Sequence, residues 1–168
     1  MLKELNKIQS AIFEQNNLKI EDYHKEKESE EYQAAIFKLK NSKIIYRKAK
    51  ITPIKNGQFV TFWKRRENGL IEPFHKDLDD FDFFMVKVQR NKREGLFTIP
   101  KETLIQQGII STSIKEGKRA FRVYPIWDET TNKQAAKSQK WQLDFFIEIS
   151  EEIESKEILK VFIEENFN

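Results

Sequence analysis

Residues 43–66, KIIYRKAKITPIKNGQFVTFWKRR, constrain the fold more than any other stretch of the chain. Two segments rich in Val, Ile, Tyr, Phe, Trp and Thr, Lys43–Thr52 and Gln58–Lys64, have the composition of β-strands. The Pro53–Gly57 segment between them supplies residues typical of a turn. Because a third strand candidate, Ala35–Lys40, comes just before them, the sequence predicts a three-stranded antiparallel meander.

The apolar pattern outside this stretch predicts helices at both ends of the chain and more strands between them. Phe83–Gln89 is an almost continuous apolar run, which indicates a central strand buried on both faces. Residues 17–28 read as a polar connection, and residues 131–149 as a long helix. Further elements are expected as terminal helices over residues 1–15 and 156–166, a short helix over 101–107 and strands over 96–100 and 119–125.

These elements together predict an α/β (α+β) fold. Its sheet would be mixed and mostly antiparallel, with five to six strands flanked by N- and C-terminal helices. A length of 168 residues fits a single domain, with a core at about residues 30–149.

The charge distribution points to an anionic partner. From Tyr32 to Arg66 the chain has ten Lys and Arg residues and no Asp or Glu, whereas both of its ends are acidic. Distant carboxylates or a bound polyanion must therefore compensate these cations. Two alternatives stay open: the acidic terminal helices balance the sheet, or the cations form an exposed groove that binds nucleic acid.

Strand periodicity places several of these cations together. Tyr46, Lys48, Lys50 and Thr52 share one face of the predicted strand, where lysines can contact phosphates and a tyrosine can stack on a base. On the long predicted helix, a polar stripe of Gln134, Ser138 and Gln142 spaces at four residues. The expected nucleic-acid-binding residues are Tyr46, Lys48, Lys50, Lys55, Lys64, Arg65, Lys101, Lys118, Arg119, Arg122 and Tyr124.

Composition excludes several classes of function. The chain has no cysteine, so it forms no disulfide and no thiolate metal site. It shows no Gly-rich phosphate loop, no G-x-S-x-G motif and no zinc-binding spacing, and no apolar stretch is long enough to span a membrane. We therefore expect a cytoplasmic protein without a membrane partner and without a cofactor, unless it is a nuclease that uses Mg²⁺.

Four stretches together carry a resemblance to a known family: AKITPIKNGQFVTFWKR at 49–65, GLFTIPKETLIQQGIIS at 95–111, GKRAFRVYPIWD at 117–128 and AAKSQKWQLDFF at 135–146. Their order and spacing resemble the MepB-like family of small bacterial proteins, over roughly residues 30–149. Some members are encoded beside multidrug efflux genes. The resemblance implies an α/β core akin to that of restriction endonucleases.

A nuclease with that core holds Mg²⁺ between carboxylates, with a lysine that supports the attacking water. Here Asn41 stands near the place of the first carboxylate and Lys48 at the place of the second, so the resemblance implies a degraded site. Lys50 and Glu31 remain as candidate catalytic residues. An alternative is a Mg²⁺-dependent nuclease with relocated carboxylates, for which Asp80 and Asp82 are the candidate metal ligands.

A further alternative is an accessory protein that binds a small molecule or another protein, motivated by the efflux-gene neighbourhood of the family. A closed apolar pocket lined by Phe62, Phe84 and Tyr124 would favour it. Oligomeric state is left open by the sequence.

Overall fold

A computed structural model describes residues 1–150 of the chain. Three α-helices lie in this range: α1 (Lys3–Ile8), α2 (Lys101–Gln106) and α3 (Lys133–Gln142). The strands in the described range are β1 (Ile20–Lys25), β2 (Ala35–Leu39), β3 (Ser42–Lys48), β4 (Lys50–Ile51), β5 (Gln58–Thr61), β6 (Trp63–Arg65), β7 (Ile71–Pro73), β8 (Phe83–Arg90), β9 (Arg93–Pro100), β10 (Ala120–Val123) and β11 (Phe146–Ile149).

Within residues 1–150, the main sheet has six strands in the order β1-β2-β3-β8-β9-β11. Neighbouring strands are antiparallel except for β3 and β8, which are parallel. A second sheet has the order β10-β5-β4, and β6 and β7 form a two-stranded ribbon. The prediction of a mixed, mostly antiparallel α+β fold is therefore confirmed.

The predicted N-terminal helix is confirmed, and it covers one face of the main sheet. α1 continues through a π-helical turn at Gln9–Phe13 and a 3₁₀ turn at Glu14–Asn16. Its buried residues, which include Leu5, Ile12 and Phe13, belong to one apolar cluster with side chains of β2, β3 and β8.

No helix among residues 1–150 is long and apolar enough to cross a membrane.

β8 occupies the central position that its apolar run predicts. It lies between β3 and β9, and its first six residues are buried. Alternate side chains of β8 enter different cores because successive residues of a strand point to opposite faces. Met85 packs in the cluster under α1, whereas Phe84 and Val86 pack in a second cluster between the two sheets.

The predicted antiparallel hairpin of β2 and β3 is confirmed, but the three predicted strands do not form one continuous meander. The backbone N–H of Ala49 still bonds to the carbonyl of Lys87 in β8, 2.9 Å away, and the chain then leaves the main sheet. β4 pairs with β5 in the second sheet, so the Lys43–Thr52 segment is divided between two sheets. The local hairpin pattern did not indicate this division, because β8, the strand that pairs with β3, lies far along the chain.

Residues 17–28, predicted as a polar connection, contain the edge strand β1. Its register against β2 shifts between Glu21 and His24, and Asp22 has a φ of 48°. This irregularity breaks the alternation of apolar and polar residues by which a strand is recognised.

The predicted helix over residues 131–149 is correct only in its first part. α3 ends at Gln142, a 3₁₀ turn covers Leu143–Phe145, and β11 then pairs with β9 at the edge of the main sheet. β11 is half-buried along its length, so its apolar residues resembled the buried stripe of a helix. The helix predicted over residues 156–166 lies outside the described residues.

Candidate nucleic-acid interface

The ten cations between Tyr32 and Arg66 do not form one open basic face. Eight of them form ion pairs, and the carboxylates come from residues 4–31 and 72–80. The paired cations are Lys38, Lys43, Arg47, Lys48, Lys50, Lys64, Arg65 and Arg66. Distant acids therefore compensate most of this stretch, which was one of the two alternatives that the sequence left open.

Tyr46 and Lys48 lie on one side of β3 as predicted, but α1 covers that side, and Lys50 belongs to the other sheet. Tyr46 is fully buried in the core under α1, and burial raises the pKa of its hydroxyl. Lys48 reaches Glu4 of α1 at 3.4 Å, whereas Lys50, in the other sheet, pairs with Glu31 at 2.9 Å. The buried ring of Tyr46 has no face on which a base could stack.

Four more of the predicted binding residues make contacts within the protein. Lys64 lies 2.8 Å from Asp79, Arg65 lies 2.7 Å from Glu28, and Arg119 lies 2.9 Å from Glu116. The Lys101 Nζ donates to the backbone carbonyl of Asp79 and lies over the ring of Phe81. These contacts occupy the charged groups that were expected to meet phosphates.

The remaining predicted residues, Lys55, Lys118, Arg122 and Tyr124, gather beside α3. They line two adjoining cavities with volumes of about 400 and 370 Å³, to which Arg122 and Tyr124 are common. We call this surface the α3 groove. Its lining is formed by Ile54, Lys55, Asn56, Gln107, Ile109, Lys118, Ala120, Phe121, Arg122, Tyr124, Thr131, Asn132, Gln134, Ala135, Lys137, Ser138, Trp141 and Gln142.

The lining of the α3 groove contains cations but no carboxylate. Among residues 1–150, no Asp or Glu forms an ion pair with Lys55, Lys118, Arg122 or Lys137. The acids of residues 151–168 lie outside the described part. The described groove is therefore positive, in contrast with the neutralised stretch of residues 32–66.

Arg122 is a fixed charge in the groove. Its Nη2 donates to the Thr52 hydroxyl at 2.6 Å, and its Nη1 donates to the carbonyls of Asn56 and Gly57, both at 3.3 Å. The guanidinium also lies over the ring of Phe59, 5.8 Å from its centroid. All of these partners are neutral, so they hold the group in place without cancelling its charge.

Two glutamines attach α3 to β10 and the segment that follows it. Gln142 is buried, accepts a hydrogen bond from the backbone N–H of Tyr124 at 2.8 Å and donates to the carbonyl of Arg122 at 2.9 Å. The Gln139 side chain donates to the carbonyls of Pro125 and Asp128. These bonds fix one wall of the groove against the other.

Sequence reasoning found part of this groove and missed the rest. Gln134 and Ser138 of the predicted polar stripe do line it, whereas Gln142 serves the backbone instead of a ligand. Lys137 was missed, although its position three residues after Gln134 places both on one face of a helix. Ile54 was missed because a single isoleucine in a turn gives no periodic signal.

The candidate nuclease residues serve structural contacts. Lys50 and Glu31 form a surface ion pair. The Asp82 carboxylate accepts a hydrogen bond from the backbone N–H of Lys43 at 2.7 Å, and the Asp80 carboxylate is almost fully exposed, 3.9 Å from the Lys43 ammonium. Across residues 1–150, no group of three His, Asp or Glu side chains is placed to hold a metal ion.

The apolar pocket that would favour a small-molecule ligand is not formed by the predicted residues. The rings of Phe62 and Phe84 stack with centroids 4.2 Å apart and are fully buried in the core between the sheets. Of the three predicted lining residues, only Tyr124 reaches a described cavity, and that cavity is the α3 groove.

The fold and the groove define this chain as a mixed α+β protein with a positively charged, carboxylate-free cleft. The sequence profile described as MepB-like matches residues 26–148, so the chain belongs to the MepB-like family. The chain is also similar to the crystal structure of MepB, with 36% sequence identity and a TM-score of 0.76 over 88% of this chain and 97% of that one. A comparison with curated proteins finds no match.

Proposed function

We propose that this protein binds nucleic acid along the α3 groove. The main support is a contrast in charge pairing. The cations of residues 32–66 are largely neutralised, whereas Lys118, Arg122 and Lys137 have no ion-pair partner among residues 1–150. Uncompensated cations in a concave surface raise the local potential and attract a polyanion.

The side chains of the groove suit different parts of a nucleotide. Lys118 and Lys137 are exposed, flexible point charges that can follow phosphate oxygens. Arg122 supplies a stationary charge because its guanidinium is held by three acceptors. The half-buried Tyr124 offers an aromatic surface for a base, and Gln134 and Ser138 can hydrogen-bond to sugars or base edges.

Fluorescence anisotropy with labelled single-stranded and duplex oligonucleotides, at about 50 and about 200 mM salt, tests the proposal. We expect the affinity to fall as salt rises, because phosphate contacts release bound counterions. The Lys118→Ala/Lys137→Ala double variant should reduce the slope of log affinity against log salt by about 1.5, the value expected for two lost phosphate contacts.

The matched control removes the same charge from the paired region. The Lys48→Ala/Lys50→Ala double variant deletes two lysines that already have glutamate partners, so it should keep most of the affinity and of the salt slope. Absence of binding at the lower salt concentration would reject the proposal. An equal loss in the two double variants would also reject it, because net charge instead of the groove would then account for binding.

A further inference from the structure

The loop between β4 and β5 presents an unusual isoleucine. Ile54 is fully exposed and has a φ of 74°. A β-branched residue rarely adopts this left-handed conformation, because its side chain crowds the backbone there. Neither its packing nor its backbone preference accounts for an isoleucine here.

The surrounding structure holds this loop in its strained form. Arg122 bonds to Thr52, Asn56 and Gly57, and the Asn56 side chain donates to the carbonyl of Glu129 at 2.8 Å. Gly57 also has a positive φ of 72°, and a Cβ on it would lie 2.6 Å from the ring of Tyr124. A conformation fixed from so many sides is typical of a functional site.

Ile54 lines the smaller cavity of the α3 groove, as do its neighbour Lys55 and the aromatic Tyr124. We propose that Ile54 is an apolar wedge that inserts between neighbouring bases, and that the ligand of the groove is therefore a single-stranded segment of nucleic acid. This inference rests on the proposed function and specifies its substrate class. In proteins that distort nucleic acid, exposed Ile, Leu, Met or Phe side chains enter between bases in this way.

Three features favour a single strand over a duplex. Cavities of about 400 and 370 Å³ lie in the size range of small-ligand pockets and suit individual nucleotides. A wedge must also separate stacked bases, and this costs least where the bases are already unpaired. A cationic groove with an aromatic side chain such as Tyr124 is the usual arrangement for binding a single strand.

The test uses single-stranded oligonucleotides with a central 2-aminopurine, a base whose fluorescence rises when it leaves the stack. We expect the wild-type protein to raise this fluorescence. Ile54→Asn should remove most of the rise and weaken single-strand binding by about fivefold, the loss expected when roughly one kcal/mol of apolar contact disappears. Asparagine tolerates a left-handed backbone, so this variant should fold.

Ile114→Asn is the matched control, because Ile114 is also exposed but lines a separate concave surface beside Leu70 and Leu78. It should behave as the wild type. Binding by wild type with no fluorescence rise, or an equal rise with Ile54→Asn, would overturn the wedge and leave phosphate binding by the groove intact. Absence of any binding at low salt would instead overturn the proposed function, and the wedge with it.

Discussion

The stretch of residues 32–66 and the α3 groove differ in how their cations are used. The first has the higher density of Lys and Arg in the sequence, yet eight of its ten cations have carboxylate partners. The second collects fewer cations from separate elements, and no acid among residues 1–150 pairs with them. The field that a ligand meets depends on this pairing in space, because an adjacent opposite charge cancels most of the field of a cation beyond the contact.

The largest effect should come from removing a carboxylate that pairs with a cation of residues 32–66 from outside that stretch. Arg47 is fully buried, and its Nη1 lies 2.6 Å from Glu26; burial lowers the pKa of Arg47, while Glu26 opposes that change. Glu26→Ala leaves a buried guanidinium without its counter-charge, so we expect the free energy of unfolding to fall by about 3 kcal/mol. Urea denaturation measures this change.

Glu31→Ala provides the comparison, because it removes one partner of the exposed pair with Lys50 and should cost less than about 0.5 kcal/mol. Equal losses in Glu26→Ala and Glu31→Ala would contradict a structural role for the buried pair.

An intermediate effect should follow from detaching the groove wall. Gln142→Ala leaves the N–H of Tyr124 and the carbonyl of Arg122 without their partner, and we expect destabilisation by about 2 kcal/mol. Because α3 carries Lys137, nucleic-acid affinity should fall as well. Thermal denaturation checks the stability and anisotropy checks the affinity. Gln134→Ala, at an exposed position on the same helix, is the control for stability. A variant as stable as wild type would show that Gln142 does not anchor the helix.

The smallest effect concerns acid stability. Hydrogen bonds from Arg65 and Arg66 lower the pKa values of Glu28 and Glu72 below their ordinary value of 4.5. Both pairs therefore contribute stability above about pH 4.5, and this contribution disappears as the pH falls through the lowered values. The Glu28→Gln/Glu72→Gln variant should lose less stability than wild type between about pH 5 and about pH 3, measured by thermal denaturation. Glu67→Gln changes an exposed glutamate without an ion pair among residues 1–150, so stability should fall with pH as steeply as in the wild type. If stability fell with pH as steeply in the double variant as in the wild type, these two pairs would not contribute to acid stability.

Local patterns in the sequence predicted the elements better than their partners. The apolar run of β8 and the helical spacing in the N-terminal segment depend on neighbours a few residues away, so both predictions are confirmed. The choice of β8 over β5 as the partner of β3 depends on contacts far along the chain, which no local rule contains. For the same reason, the hairpin pattern did not predict that the chain leaves the main sheet after Ala49.

For the candidate site, too, local patterns were predicted correctly and contacts between distant residues were not. Arg122 and Tyr124 were among the expected binding residues, helical spacing placed Gln134 with Ser138, and all four line the α3 groove. The loss of Lys48 from the predicted site arises from Glu4, a residue in another element, 44 positions away in the sequence. Pairing of this kind is decided by tertiary structure, so charge counting over a window of sequence could not detect it.

The parallel pairing of β3 with β8 at the centre of the main sheet has a consequence for folding during synthesis. Ile44 of β3 aligns with Phe83 of β8, and the four short strands β4 to β7 occupy the segment between them. A nascent chain emerging from the ribosome can complete the hairpin of β2 and β3 early, but the open edge of β3 must wait until the later residues arrive. Closing such a long loop slows folding much more than it lowers final stability. A half-made chain therefore exposes an unpaired strand edge, the kind of surface on which aggregation begins.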